Sequence, residues 1–266
     1  MNMTDGTHSQ PKEELPPPGW GNDKLSEFFE STRQQQFATF ANLRWAFAIL
    51  KEIDDCWLLA ASNLNQPQDV LSALLLIRSH SAYRAACATA MATQTPESFV
   101  LLRSALEYSG YALHISKNPN LGEVWLRRHD DAESMKAVKK AFQTAAIENT
   151  VALTDAKLGD IYKTLYQSTI DYGAHPNERA LSGNIRSDKD TVLSIYLHAD
   201  ELNIVNCLKS VALVGLTCLN LFQNIFSARF LLLGLQERIF ALRTLEGNFI
   251  IWLRDWEKGN KKSASD

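Results

Sequence analysis

The chain has 266 residues, of which 45% are hydrophobic and 21% charged, as is usual for a globular protein with a sizeable core. Its formal net charge of −3 gives no electrostatic case for nucleic acid as an obligatory partner. There are only 12 Gly and 8 Pro, and four of the Pro lie in the first 18 residues. A chain body so poor in breakers favours long helices over many short strands.

Both ends of the chain are polar. Residues 1–20 end in a run from Leu15 to Trp20 that contains three consecutive prolines, which predicts a disordered Pro-rich tail. Residues 259–266 predict a second short tail. No basic region is followed by an apolar stretch near the N-terminus, and none of the four cysteines forms a C-x-x-C pair. We therefore expect reduced, buried thiols and a cytoplasmic location.

Between the tails, apolar residues at spacings of three, four and seven predict an all-α domain over residues 21–258. Short connections make consecutive helices antiparallel neighbours, which predicts a single-domain up-and-down bundle of about seven helices. Start and stop signals place these helices at about 23–61, 67–93, 95–117, 121–142, 154–173, 200–228 and 231–256.

Two segments leave alternatives open. The longest non-helical stretch is 175–190, and the β-branched and aromatic residues from Val192 to Leu197 fit a short strand, part of a β-hairpin near 184–197, or the first turn of the next helix. The run between Lys209 and Arg229 has no charge and just reaches the length of a membrane span. Amides on one face of its C-terminal half favour a central buried helix instead.

Several catalytic signatures are absent from the sequence. It contains no G-x-x-x-x-G-K, G-x-G-x-x-G or G-x-S-x-G motif and no H-E-x-x-H. No His follows a Glu by three residues, as the di-iron sites of helical bundles require. The Cys and His spacings do not fit a zinc site. We therefore predict no metal and no cofactor.

The clearest polar cluster lies within the predicted third helix. Arg103, Glu107, Gly110 and His114 occur at i, i+4, i+7 and i+11 and share one face among apolar neighbours. A charge in such surroundings needs a partner, and Glu107 lies one turn from Arg103. This pattern fits an ion pair that fixes helix register, or alternatively one wall of a polar pocket.

A second group of cations lies in the predicted second helix. Arg78 follows four apolar residues, while His80 and Arg84 lie four apart on another face. Arginine forks suit phosphate or carboxylate, so Arg78 and Arg84 are candidates for anion binding. The alternative is a solvated helix rim, with packed stems and charged ends in water.

Tyrosines recur along the predicted fifth helix. Tyr162 and Tyr166 share one stripe, and Tyr172 is adjacent to it. The helix then breaks into a loop that contains His175 and Asn177. Loops on rigid helices often carry function, so Tyr166, Tyr172 and Asn177 are candidate binding residues and His175 a candidate acid or base. Alternatively, the tyrosines belong to the core and His175 caps the helix.

An apolar helix with Arg103-x-x-x-Glu107, followed by a Tyr-rich helix ending in His175-x-Asn177, resembles a bacterial all-helical family. That family is similar to the HEPN (higher eukaryotes and prokaryotes nucleotide-binding) helical bundles, and the resemblance covers about residues 30–230. Active HEPN ribonucleases carry an Arg followed by a His after four to six residues, a pattern absent here. The resemblance therefore implies the fold and a dimer rather than the catalysis.

Two functions follow from these observations. The first is a non-catalytic helical binding or association module of a bacterial cytoplasmic protein, which would work as a homo-oligomer. The alternative is an HEPN-like nuclease or nucleotide-acting enzyme in defence or stress response. In that alternative Arg103 and Glu107 would orient an anion and His175 would act as general acid or base. A third function, membrane association through residues 210–228, is the least favoured.

Overall fold

The computed structural model describes residues 16–64, 69–174, 185–188, 191–194, 201–245, 247–252 and 254–255. The protein is all-α, as the sequence predicts. The helices are α1 (Lys24–Asn42), α2 (Arg44–Ser62), α3 (Val70–Met91), α4 (Thr95–Lys117), α5 (Asn120–Leu126), α6 (Ala132–Ala141), α7 (Thr144–Thr154), α8 (Ala156–Thr169), α9 (Glu201–Ile225), α10 (Ser227–Leu232) and α11 (Leu235–Leu245).

Aspartates begin several of these helices. Asp69 accepts a hydrogen bond from the backbone N–H of Ser72, Asp131 from that of Ser134, and Asp155 from that of Leu158. Each carboxylate satisfies an N–H group that has no partner inside its helix. Asp131 and Asp155 thus mark the starts of α6 and α8.

Helix α9 lies at the centre of the packing. It contacts α2, α3, α4, α8, α10 and α11, and Leu208, Val211, Leu219 and Phe222 on it are fully buried. Within the described residues α9 is the one helix long and apolar enough to cross a membrane, and 67% of its most apolar window is buried inside the protein. Its apolar faces are thus covered mainly by other helices.

Helices α3 and α4 pack closely beside α9, and small residues permit this approach. The Ser79 hydroxyl donates to the carbonyl of Ala105 at 2.9 Å, and the Ser72 hydroxyl donates to that of Ala112 at 3.2 Å. The two helices are therefore joined along their length by side-chain to backbone bonds. This pairing fixes which face of α4 points away from the core.

The structure has more helix breaks than the sequence predicts. The predicted helix 23–61 is interrupted at Leu43 (φ −120°, ψ 43°), and the predicted helix 121–142 is interrupted between Leu126 and Ala132. Helix α7 falls in a stretch without a predicted element. The predicted helices 200–228 and 231–256 include further breaks, at Phe226 and at Gly234, whose φ is +64°.

After α8 the chain forms a π-helical turn at Ile170–Ala174. Within the segment left open by the sequence, strands β1 (Ile185–Asp188) and β2 (Thr191–Ser194) pair antiparallel, with Ile185 opposite Ser194. Residues 195–197 lie outside the described residues. So do the predicted tails, except for residues 16–20.

Candidate functional site: a polar cleft between α4, α7 and α8

Three of the candidate residues meet in one place. The Arg103 Nε donates to Glu107 Oε1 at 2.9 Å, and Arg103 Nη2 donates to the Tyr166 hydroxyl at 3.0 Å. Tyr166 in turn donates to the same Glu107 oxygen at 3.0 Å. The guanidinium also lies over the Tyr166 ring, 5.1 Å from its centroid. The three side chains are joined to one another by hydrogen bonds that link α4 to α8.

The cluster opens onto a cleft of about 190 Å³. Its lining comes from α4, from Phe142 at the end of α6, from α7 and from α8. The lining residues are Arg103, Glu107, Tyr111, Phe142, Thr144, Ile147, Tyr162 and Tyr166. The Thr144 hydroxyl lies 3.5 Å from that of Tyr166, at the limit of a hydrogen bond. The cleft therefore combines one ion pair, several hydroxyl groups and aromatic walls.

Gly110 is needed at the base of this cleft. A Cβ atom built on Gly110 would lie 2.5 Å from the Tyr162 hydroxyl and 2.7 Å from Ile147 Cγ2. The missing side chain lets α7 and α8 approach α4, and the Tyr162 hydroxyl donates to the carbonyl of Leu106 at 3.3 Å. This close approach brings Tyr166, one turn further along α8, to Glu107.

Burial shapes the chemistry of the cleft hydroxyls. It raises the pKa of Tyr166, although the hydrogen bond with Thr144 opposes the shift. Burial also raises the pKa of Tyr111, and the negative charge of Glu107 adds to this effect. Both phenols are therefore protonated at neutral pH, and Tyr166 donates its proton in the hydrogen bond to Glu107.

His114 also lies on α4, but its ring contacts residues that do not line the cleft. Its Nδ1 lies 2.6 Å from the Thr150 hydroxyl and its Nε2 lies 3.2 Å from the carbonyl of Ala141. Burial lowers the pKa of His114, so the ring is neutral near pH 7. The structure thus places His114 in the packing of α4 against α6 and α7, outside the cleft lining.

The candidate cations of α3 do not converge. Arg84 donates two hydrogen bonds to Asp54 on α2, both 2.8 Å long, and His80 Nε2 lies 2.6 Å from Asp54 Oδ1. Burial would raise the pKa of Asp54, but the bonds from Arg84 and His80 outweigh it and lower that pKa. Burial lowers the pKa of His80 despite Asp54. Arg78 instead lies over the Tyr108 ring.

The remaining candidates lie near or beyond the end of α8. Tyr172 stacks on Phe99 with ring centroids 5.2 Å apart, and it is not among the residues that line the cleft. The neighbouring Gly173 packs directly against the backbone of Pro96. His175 and Asn177 lie outside the described residues, so their distances to Arg103 are not defined.

A larger groove of about 880 Å³ runs between α3, α4, α5 and the α9–α10 junction. The polar groups on its rim make contacts within the protein that stabilise the fold. Asp69 caps α3, Glu123 pairs with Arg127 at 2.8 Å, and Arg229 Nη1 donates to the carbonyl of Asn63 at 2.6 Å. None of the residues predicted as functional lines this groove, so the cleft at Arg103 is the stronger candidate.

The cleft contains residues that the sequence did not single out. Tyr111 follows Glu107 by four residues, as Glu107 follows Arg103. It therefore lies one helical turn further along the same face, and this spacing could have identified it. Thr144 and Ile147 lie in the stretch without a predicted element, and no sequence signal indicates them. Comparison of the chain with protein-family models, curated proteins and solved structures finds no match.

Proposed function

We propose that this chain is a non-catalytic helical binding or association module of a bacterial cytoplasmic protein, and that it works as a homo-oligomer. The observation that carries the proposal is the set of hydrogen bonds that joins Arg103, Glu107 and Tyr166 to one another. One Glu107 oxygen accepts hydrogen bonds from both other side chains. Groups paired in this way hold α4 and α8 in register and supply a recognition surface. They do not present an activated nucleophile.

The usual nucleophiles of the described residues also lack activation. Burial raises the pKa of the Cys56 thiol, that of Cys207 to about 11 and that of Cys218 to about 12. A reactive cysteine needs the opposite shift, toward the thiolate. Neither His80 nor His114 lies beside a serine or cysteine nucleophile, since their ring nitrogens contact Asp54, Thr150 and a backbone carbonyl. These features support binding over chemistry.

Association is supported by apolar side chains on the last helices. Leu231 and Leu232 end α10, and Phe240 and Leu245 lie on α11. Leu232 is 85% exposed and Phe240 is 75% exposed. Several large exposed apolar groups on neighbouring helices are typical of an interaction surface. A second copy of the chain offers the same apolar surface, as a two-fold dimer requires.

Sedimentation velocity tests this association. The wild-type protein should sediment as an oligomer, and the Leu232→Asp/Phe240→Asp double variant should be monomeric because each carboxylate would need to be buried without a partner. Leu153→Asp is the matched control, because Leu153 is 80% exposed but lies on α7. A wild-type monomer at every concentration tested would refute the association, and so would an unchanged oligomer in the double variant.

The HEPN-like nuclease or nucleotide-acting enzyme in defence or stress response is a second proposal. It is supported by the position of Arg103 and Glu107 at an open cleft, where an anion-orienting pair would have to lie. Its test is hydrolysis of RNA and of nucleoside triphosphates by the wild-type protein. Under this proposal Arg103→Ala should reduce the rate by at least about 100-fold, whereas Arg78→Ala should leave it unchanged. Absence of hydrolysis by the wild-type protein would refute it.

A further inference from the structure

Helix α11 carries a narrow exposed face opposite the side that packs on the core. Its buried side chains are Leu235, Ile239 and Leu242. Four exposed residues follow the opposite face at i, i+3, i+4 and i+7, namely Glu237, Phe240, Ala241 and Thr244. Ala241 and Thr244 are small, so a second helix can approach this face closely and contact the Phe240 ring.

The exposed apolar surface continues beyond both ends of α11. Leu231 and Leu232 precede it, and Ile250 and Ile251 follow it in the helical residues 247–252. At about 100–200 Å² for each fully exposed side chain, these four residues with Phe240 and Leu245 expose roughly 400–700 Å². Each partner in a standard interface contributes about 800 Å², of which about 450–500 Å² is apolar. The surface is thus large enough for a stable dimer.

The apolar ends of this surface are arranged symmetrically. Leu231 and Leu232 lie as far before Ala241 as Ile251 and Ile250 lie after it. An antiparallel second copy centred near Ala241 would therefore bring its helical residues 247–252 to the leucines of the first copy.

The charges on α11 have nearly the same centre. Glu237 and Arg243 lie three residues before and after Phe240. Neither forms a salt bridge within the part of the chain that the structure describes, whereas Arg238 on the flank pairs with Glu52 at 3.1 Å. Antiparallel pairing places Glu237 of one copy within reach of Arg243 of the other. Parallel pairing would instead bring like charges together, which is unfavourable.

We propose that two copies of the chain pair through α11, antiparallel about a two-fold axis that passes between Phe240 and Ala241. The two Phe240 rings would pack on each other at one side of the axis, and the two Ala241 methyl groups would face each other at the other side. The inference rests on the proposed association. It specifies which helix meets the second copy, in which direction and in which register.

Cysteines introduced on this face test the pairing. The two Ala241 residues of the pair would lie about 1.5 Å apart along the helix axis, whereas the two Thr244 residues would lie about 10 Å apart along it. Ala241→Cys should therefore form an intersubunit disulfide under mild oxidation, since bridged Cα atoms lie within about 7 Å. Thr244→Cys is the matched control on the same face and should not cross-link.

Non-reducing electrophoresis of the full-length proteins measures the cross-linked fraction. The wild-type protein gives the background, because three native thiols are buried and burial raises the pKa of Cys87 to about 12. We expect Ala241→Cys to cross-link at least about 10-fold more than Thr244→Cys. Equal cross-linking of the two variants would overturn the proposal, as would background cross-linking of Ala241→Cys.

Charge reversal tests the polar contact. Glu237→Arg places like charges together at two symmetric positions, so it should weaken association by about 5-fold in sedimentation velocity. The Glu237→Arg/Arg243→Glu double variant should recover the wild-type affinity, and equal affinities of the single and double variants would overturn the contact. A wild-type monomer would refute association itself. A wild-type oligomer in which Ala241→Cys fails to cross-link would refute only the α11 pairing.

Discussion

Substitution of Gly110 by Ala tests how the cleft is built. Inside a helix Ala is favoured over Gly by about 1 kcal/mol, so helix propensity alone predicts stabilisation. The packing predicts the reverse, because the new Cβ would lie 2.5 Å from the Tyr162 hydroxyl and 2.7 Å from Ile147. Overpacking of this kind costs about 2 kcal/mol, and displacing the Tyr162 hydroxyl from the Leu106 carbonyl costs about 1 kcal/mol more. The net expectation is a loss of about 2 kcal/mol.

Urea and thermal unfolding followed by circular dichroism measure this loss. For a chain of this size it corresponds to a fall in Tm of about 4–8 °C. Gly247→Ala is the matched control, because Gly247 is also helical and an added Cβ would meet nothing within 4 Å. That variant should gain about 0.5–1 kcal/mol. If Gly110→Ala stabilised the protein as much as Gly247→Ala does, the close approach of α7 and α8 to α4 would be refuted.

Two further predictions concern ionisable groups away from the cleft. Because the folded pKa of Asp54 lies below its usual value, its pairing with Arg84 and His80 stabilises the fold above about pH 4 and is lost as pH falls through the folded pKa. Urea unfolding at pH 5 and pH 3 should therefore show a smaller drop in stability for Asp54→Asn than for the wild-type protein, and equal drops would contradict the pairing. In the native protein the partly exposed Cys87 should react with Ellman's reagent before the three buried thiols, although slowly, because burial raises its pKa to about 12. The buried thiols should react only after unfolding, and rapid reaction of all four in the native state would contradict their burial.

Local signals in the sequence were sufficient to predict the positions of many of the helices. Thr95-Pro96-Glu97 predicts a helix start, and α4 begins at Thr95 and ends at Lys117 as expected. No Gly or Pro in the sequence marks the interruption at Leu43. Its buried side chain is 3% exposed, so tertiary packing sets this break. Sequence periodicity describes one helix at a time and cannot report where a second helix crosses it.

The candidate cleft, too, could be predicted only in part from the sequence. The spacing of Arg103 and Glu107 predicts that the two can meet, and an ion pair and a pocket wall were the alternatives. In the structure they form the ion pair and also line the cleft, because Tyr166 reaches them from a helix 59 residues further along the chain than Glu107. The partner of His80 and Arg84 could not be predicted either, since Asp54 lies on a different helix, α2, and belongs to no sequence motif.

The most direct test of the proposed function is native mass spectrometry of the purified protein before any ligand is added. We expect a homo-oligomer whose mass is a multiple of 29.9 kDa and which carries no nucleotide or RNA. A 29.9 kDa monomer that carries a nucleotide or an RNA fragment would contradict the binding and association module and would favour the nucleotide-acting enzyme.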